Sequence, residues 1–218
     1  MWLVKLEFRK YLHSKTLYGL LLIAVLYTVS FFSNPDRVLT PEVVVCNYIF
    51  FMALFGGILI AFYATELPRE PLVMSKPLRR FSALLQHFGA VALLSILFAV
   101  VGVPIEWHYY PNAHAVGLSI AVLILFLLGV SAFSLAPAIF LSWELRIFWS
   151  VGVIFLFFGA IVELPSPNLA EKLLLPALSL TGALTNGTLS YTDALTALLS
   201  AGIYVALSVA LFSRRDLR

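Results

Sequence analysis

Long apolar runs separated by short polar clusters set the pattern of this chain. Six runs, at residues 16–33, 44–64, 82–103, 115–142, 147–163 and 191–212, come close to or pass the length of a membrane-crossing helix. About 20 apolar residues at roughly 1.5 Å each cross some 30 Å of hydrocarbon. The first and fifth runs are short, and the fourth is long enough to tilt or to break near Pro137. Residues 1–15 follow a different rule. Val4, Phe8, Tyr11 and Leu12 share one helical face, with Lys5, Arg9 and His13 in an i, i+4, i+8 stripe beside it. Trp2, Leu3 and Leu6 fall elsewhere, so the pattern is imperfect. It still predicts an amphipathic interfacial helix rather than a plain basic flank to the first span. Between the last two runs, residues 164–190 have an apolar middle too short to cross, which predicts a re-entrant or extracellular helical segment. The expected fold is an all-α membrane protein of one domain, residues 1–218. It has six transmembrane helices, an N-terminal interfacial helix, and that short segment before the last span.

Composition agrees. Hydrophobic residues make up 61% of the chain and charged residues 11%, against about 25% charged in ordinary soluble domains, which excludes a water-soluble fold. Lys5, Glu7, Arg9 and Lys10 keep the first residues polar, and no small-residue cleavage site follows the first run, so a secretory signal is not expected. The single cysteine, Cys46, excludes an internal disulfide and a cysteine-based metal site, and is expected as a small apolar residue near a helix end. Charge gives direction. Lys5, Arg9, Lys10, Lys15, Arg69, Lys76, Arg79, Arg80, Arg146, Arg214, Arg215 and Arg218 fall on one side of a six-span arrangement, and only Arg37 and Lys172 on the other. The positive-inside rule therefore predicts that both termini are cytoplasmic.

The chemistry expected of a gradient-driven carrier or a membrane enzyme is missing. The runs hold no Asp, Glu, Lys or Arg in their central portions, where such proteins keep ionisable groups. Asp193 stands at the mouth of the sixth span, in the place of an N-cap beside Thr192, and Glu163 closes the fifth at its outer end. His87, about two turns into the third span beside Gln86, is read as a helix-to-helix hydrogen bond in preference to a proton relay. Glu106, His108 and His114 fall in an expected outer loop. Their spacing fits no established metal motif, and Trp107, Tyr109 and Tyr110 there read as an interfacial aromatic belt. Ser131 has no general base or orienting partner in view, and no G-x-x-x-x-G-K-[ST] phosphate loop is present. Asn186-Gly-Thr meets the N-glycosylation pattern, one that arises often by chance.

The most unusual stretch is residues 66–81, ELPREPLVMSKPLRRF, where Glu66, Arg69, Glu70, Lys76, Arg79 and Arg80 interrupt two apolar runs. Pro68, Pro71 and Pro77 forbid one long helix. A short helix fits between Pro71 and Lys76, with Glu70 at its N-terminus and Lys76 at its end, both favourable to its dipole. Leu72, Val73 and Met74 would then face the cytosol. A connecting loop has little reason to present three consecutive apolar residues to water, whereas a protein partner would cover them.

In these features the chain resembles the membrane permeases of ABC transporters of the type-2 export class. The shared layout is a basic amphipathic start, six spans and a cytoplasmic loop between spans two and three. Glu66 and Glu70 stand at the family's acidic positions, LVMSKP at its short helix and proline, and Arg79 and Arg80 at its basic positions. The ending LFSRRDLR is also similar. Pro71 stands where the family usually has Gly-Thr, and Gln86 and His87 where it commonly has a lysine. The resemblance implies a non-enzymatic permease subunit in a prokaryotic-type plasma membrane, paired with a second permease copy, identical or not. A separate ABC ATPase subunit would carry ATP and magnesium, so this chain would need no cofactor of its own, no metal and no nucleic acid. The implied coupling residues are Glu66, Arg69, Glu70, Leu72, Val73, Met74 and Lys76. Glu144 and Arg146, between spans four and five, are either a smaller second contact or a positive-inside anchor. Spans two and five would flank the substrate path, where Phe50, Phe51, Phe55, Phe155, Phe157 and Phe158 either line that path or face lipid. The alternative reading is a non-transport anchor or assembly subunit of a larger complex.

Overall fold

The computed structural model describes residues 2–34, 38–66, 77–138, 140–164 and 166–214. Its elements are α1 (Trp2–Leu12), α2 (Lys15–Phe32), α3 (Pro41–Thr65), α4 (Pro77–Val101), α5 (Val103–Tyr109), α6 (Ala113–Ala138) and α7 (Trp143–Glu163). These are followed by α8 (Leu169–Leu174), a 3-10 turn (Pro176–Leu180), α9 (Thr181–Asn186) and α10 (Tyr191–Arg214). Six helices are long and apolar enough to cross a membrane: α2, α3, α4 with α5, α6, α7 and α10. The protein is thus an all-α, multi-pass membrane protein with a short helix before its first span. An even number of spans puts α1 and the end of α10 at the same end of the bundle.

In lipid, backbone polar groups must be satisfied within the segment, which favours helix for every span. Burial then ranks the helices. Over the most apolar stretch, 56% of α3 and of α6 is buried, against 28–39% in the other four. These two form the centre and pack on one another, with α2 and α7 against α3, and α10 and α4 against α6. Phe126 of α6 meets Phe157 and Phe158 of α7 at ring-centroid distances of 5.8 and 5.4 Å. Helix starts follow capping chemistry. Thr40 accepts from the Val43 amide ahead of Pro41, and Asn168 with Glu171 forms a reciprocal capping box at α8.

Two expectations about span limits change. The fourth run was read to 142, with a tilt or break near Pro137; α6 ends at Ala138, and the Phe140 amide turns back onto the Pro137 carbonyl at 2.9 Å. Pro137 stands inside the last turn, without an amide to bond the carbonyl four residues before it, and the expected break falls one residue after it. The third run does not give way to a loop at 103. After a one-residue turn at Gly102 the chain re-enters helix as α5, with Pro104 in its first turn. Tyr48 of α3 lies so close to Gly102 that any Cβ there would collide with its ring and hydroxyl. The 3-10 turn between α8 and α9 is fully buried. Pro176, Ala177, Leu178, Ser179 and Leu180 pack against α6, α7 and α10, so the short apolar segment folds into the bundle instead of lying on it. Gly187, at φ 65°, closes α9 in the left-handed conformation glycine favours.

Candidate functional site

Helix α1 packs along the beginning of α4, and its predicted faces hold. Tyr11 is buried, Val4, Phe8 and Leu12 are partly buried, and Lys5, Arg9 and His13 are exposed. Glu7, one turn before Tyr11 on the inward face, is the exception to that apolar face, being only 8% exposed. Its Oε2 accepts from the Tyr11 hydroxyl at 2.8 Å and lies 3.1 Å from Nδ1 of His87 in α4. The Tyr11 oxygen itself is 3.3 Å from the same nitrogen. On the other side of the imidazole, Nε2 is 3.3 Å from the Ala64 carbonyl near the end of α3. Both ring nitrogens thus face oxygen atoms, and the tautomer decides which of them donates. Tyr11 also stacks on Tyr63 of α3 with centroids 4.3 Å apart.

Lys10 completes the junction. Its Nζ reaches Glu66 Oε1 at 2.7 Å, at the residue that caps α3 and opens the insert. Helix α1 is therefore bonded to both supports of residues 67–76: through Lys10 and Tyr11 to the end of α3, and through Glu7 and Tyr11 to His87 in α4. Burial alone would raise the Glu7 carboxyl pKa. The His87 hydrogen bond and charge, the Tyr11 hydroxyl and Lys10 outweigh it and bring the carboxyl below its ordinary value. Tyr11 moves the other way: burial and the Glu7 charge push its hydroxyl well above the usual phenol value.

Of the coupling residues read from the sequence, Glu66 stands in this junction, while Arg69, Glu70, Leu72, Val73, Met74 and Lys76 lie outside the described residues, as does the short helix expected there. Glu144 is exposed in the first turn of α7 and accepts from the Ser142 hydroxyl at 2.9 Å; Arg146, one half-turn on, is 96% buried. The phenylalanines divide. Phe50 and Phe158 meet at 5.2 Å across α3 and α7. Phe51 and Phe55 stack on Tyr27 of α2, at 5.4 and 5.5 Å. Phe155 is exposed and Phe157 buried in the core, so no single surface joins all six.

Two other readings are corrected. Glu106 is not in an open loop: it sits on α5 with no exposed surface, accepting from the Ser119 hydroxyl of α6 at 2.7 Å through Oε1, while Oε2 meets no hydrogen-bond partner among the described residues. Asp193 is not the N-cap of α10. Ser190 takes that place, its Oγ accepting from the Asp193 amide at 3.1 Å, and the Asp193 carboxylate pairs with Lys172 of α8 at 2.6 Å. His87 makes the helix-to-helix hydrogen bonding read from the sequence, to the N-terminal helix as well as to a neighbouring span. The sequence cue for that pairing was present: one acid on the apolar face of α1, and one histidine in an apolar run.

Fold and junction together define the class: a six-span, all-α membrane protein with an N-terminal helix bonded to the two helices that frame its charged insert. No family model matches the chain, and no curated protein matches it.

Proposed function

We propose that this chain is the membrane-spanning permease subunit of an ATP-driven ABC-type exporter, working beside a second permease copy and coupled through residues 66–76 to a separate ATPase subunit. The observation that carries this reading is the junction of α1 with both supports of the insert. A load applied between Glu66 and Pro77 acts on the end of α3 and the start of α4, and the Lys10–Glu66 and Glu7–His87 bonds extend it to α1. Nucleotide binding in a partner can change the membrane half only through contacts that differ between two states. An insert tied to three helices gives such contacts a route inward. The character of LVM between Glu70 and Lys76, apolar and bracketed by prolines, supports a protein as the thing that pulls.

Gentle purification from native membranes should bring down a P-loop ATPase chain in stoichiometric amount. Leu72→Ala, Met74→Ala and Glu70→Ala should each lower the copurified ATPase at least about fivefold, roughly 1 kcal/mol at an interface position, with membrane insertion unchanged. Repeated recovery of the chain with a non-ATPase partner and no nucleotide-dependent change would favour an anchor or assembly subunit instead.

A further inference from the structure

Among the described residues Glu106 is the only acid of a span with no exposed surface. Ionisable groups enclosed among spans are rare and mark function more often than packing. An interruption of the helix adjoins this one. Helix α4 ends at Val101, and α5 begins at Val103 after Gly102. Pro104 has no amide to give the Val100 carbonyl. The Ala99 carbonyl accepts from the Tyr48 hydroxyl at 3.1 Å, and the Ile105 and Glu106 amides both turn to Gly102. The joint therefore presents carbonyl oxygens that a continuous helix would have used. Helical side chains lean toward the N-terminal end of their helix, which for Glu106 is this joint.

Of the two carboxyl oxygens, Oε1 accepts from the Ser119 hydroxyl at 2.7 Å and Oε2 has no hydrogen-bond partner among the described residues. No lysine, arginine or histidine among them pairs with it. The titratable groups of the neighbouring elements are engaged or turned outward. Tyr48 of α3 bonds to Ala99, Tyr27 of α2 stacks on Phe51 and Phe55, and Tyr109 of α5 stacks on Phe32. His108 of α5 and His114 of α6 are exposed, and His87 of α4 is held in the junction with α1. A carboxylate enclosed with one donor and no cation costs far more than the neutral acid, whose O–H needs only an acceptor of the kind the joint presents. A hard metal cation takes about six oxygen ligands, where Glu106 and Ser119 together bring three. The proton is the cation that fits.

We propose that Glu106, with Ser119, is a proton-binding site that keeps α5 closed on α6, and that it gives up its proton when α5 parts from α6. Below about pH 4.3 the carboxyl is neutral in the closed and parted forms alike, so acid leaves the joint unmoved. Above that value the parted form ionises first. Each further pH unit then favours parting by up to about tenfold, until the closed form ionises as well. Hydrogen exchange of the full-length protein in mild detergent, corrected for the intrinsic pH dependence of exchange, reads this directly. Protection of the α5 amides should fall with rising pH by up to about tenfold per unit, while the centre of α3 keeps its protection. Glu106→Gln, a neutral isostere of the bound acid, should abolish the slope. If that variant does not fold, Ser119→Ala takes its place: it removes the donor that favours the carboxylate, so the slope should continue about one pH unit further. An α5 whose protection does not change with pH would overturn the proposal, as would a slope that survives in folded Glu106→Gln or is unmoved in Ser119→Ala. So would α5 protection that rises with sodium at fixed pH and ionic strength, since the site would then hold a metal cation instead of a proton.

Discussion

Glu7 and His87 are placed so that each makes the other's burial tolerable. Removing one partner leaves a polar group with its bond unmade, which costs about 1–3 kcal/mol when buried. His87→Ala should therefore free α1 at neutral pH, seen as a fall of roughly tenfold or more in hydrogen-exchange protection of the α1 amides, while the exchange of α6 stays as it was. Acid should act on the same contact. The Glu7 carboxyl has a lowered pKa in the folded protein, so its contribution is complete above the ordinary carboxylate value, about 4.3, and is lost as pH falls through the lowered folded value. Exchange of α1 followed down through that acid window should show the release. Glu7→Gln should remove the pH dependence, because the amide does not titrate there; an acid release unchanged in Glu7→Gln would refute the role given to this carboxylate. Glu106 shows the limit of reading residues one at a time. In sequence it looked like one polar residue among several in a loop. Only the packing of α5 against α6 shows that its carboxyl is enclosed, with Ser119 bonded to one oxygen.

Among the elements, the joint between α4 and α5 makes the sharpest test. Gly102 is needed because Tyr48 of α3 occupies the space a side chain would take. Gly102→Ala should destabilise the protein by about 1–3 kcal/mol through overpacking, read as a lowered melting temperature in detergent. Combining it with Tyr48→Val, which vacates that space, should cost less than the sum of the two single changes; strict additivity would show that the two positions do not press on each other. The spans were legible from run length and composition because membrane burial imposes one simple requirement on each of them. Their ends were less so. Nothing in the apolar pattern distinguishes the last residues before 142 from those of α6; only Pro137 marked the place of the break. Gly102 in turn reads as a plausible end to the third run until Tyr48 is seen against it. The faces of α1 were readable from 3.6-residue periodicity, but Glu7 broke the pattern on the inward side, and a pattern scored for apolar residues gives no place to its partner 80 positions away.

For the whole molecule, six spans put α1 and the end of α10 at one end of the bundle and α8, which holds Lys172, at the other. From the charge bias we propose that the end with α1 faces the cytoplasm. A fluorescent reporter fused at the C-terminus should therefore fold and fluoresce in the cytoplasm, and an alkaline phosphatase inserted near residue 167 should be active outside. The reverse result would overturn the orientation without touching the fold. From its residues alone the chain determined its class, its six spans, the amphipathic faces of its first helix and the existence of an apolar segment too short to cross. These properties follow from local periodicity and from the energy of placing polar groups in hydrocarbon, both of which are written along the chain. Tertiary structure decided which helices are central, that residues 176–180 are buried among the spans, that Glu106 is enclosed, and that Glu7, Lys10 and Tyr11 tie α1 to α3 and α4. Those outcomes depend on which surfaces meet across dozens of residues, and no local pattern carries that information.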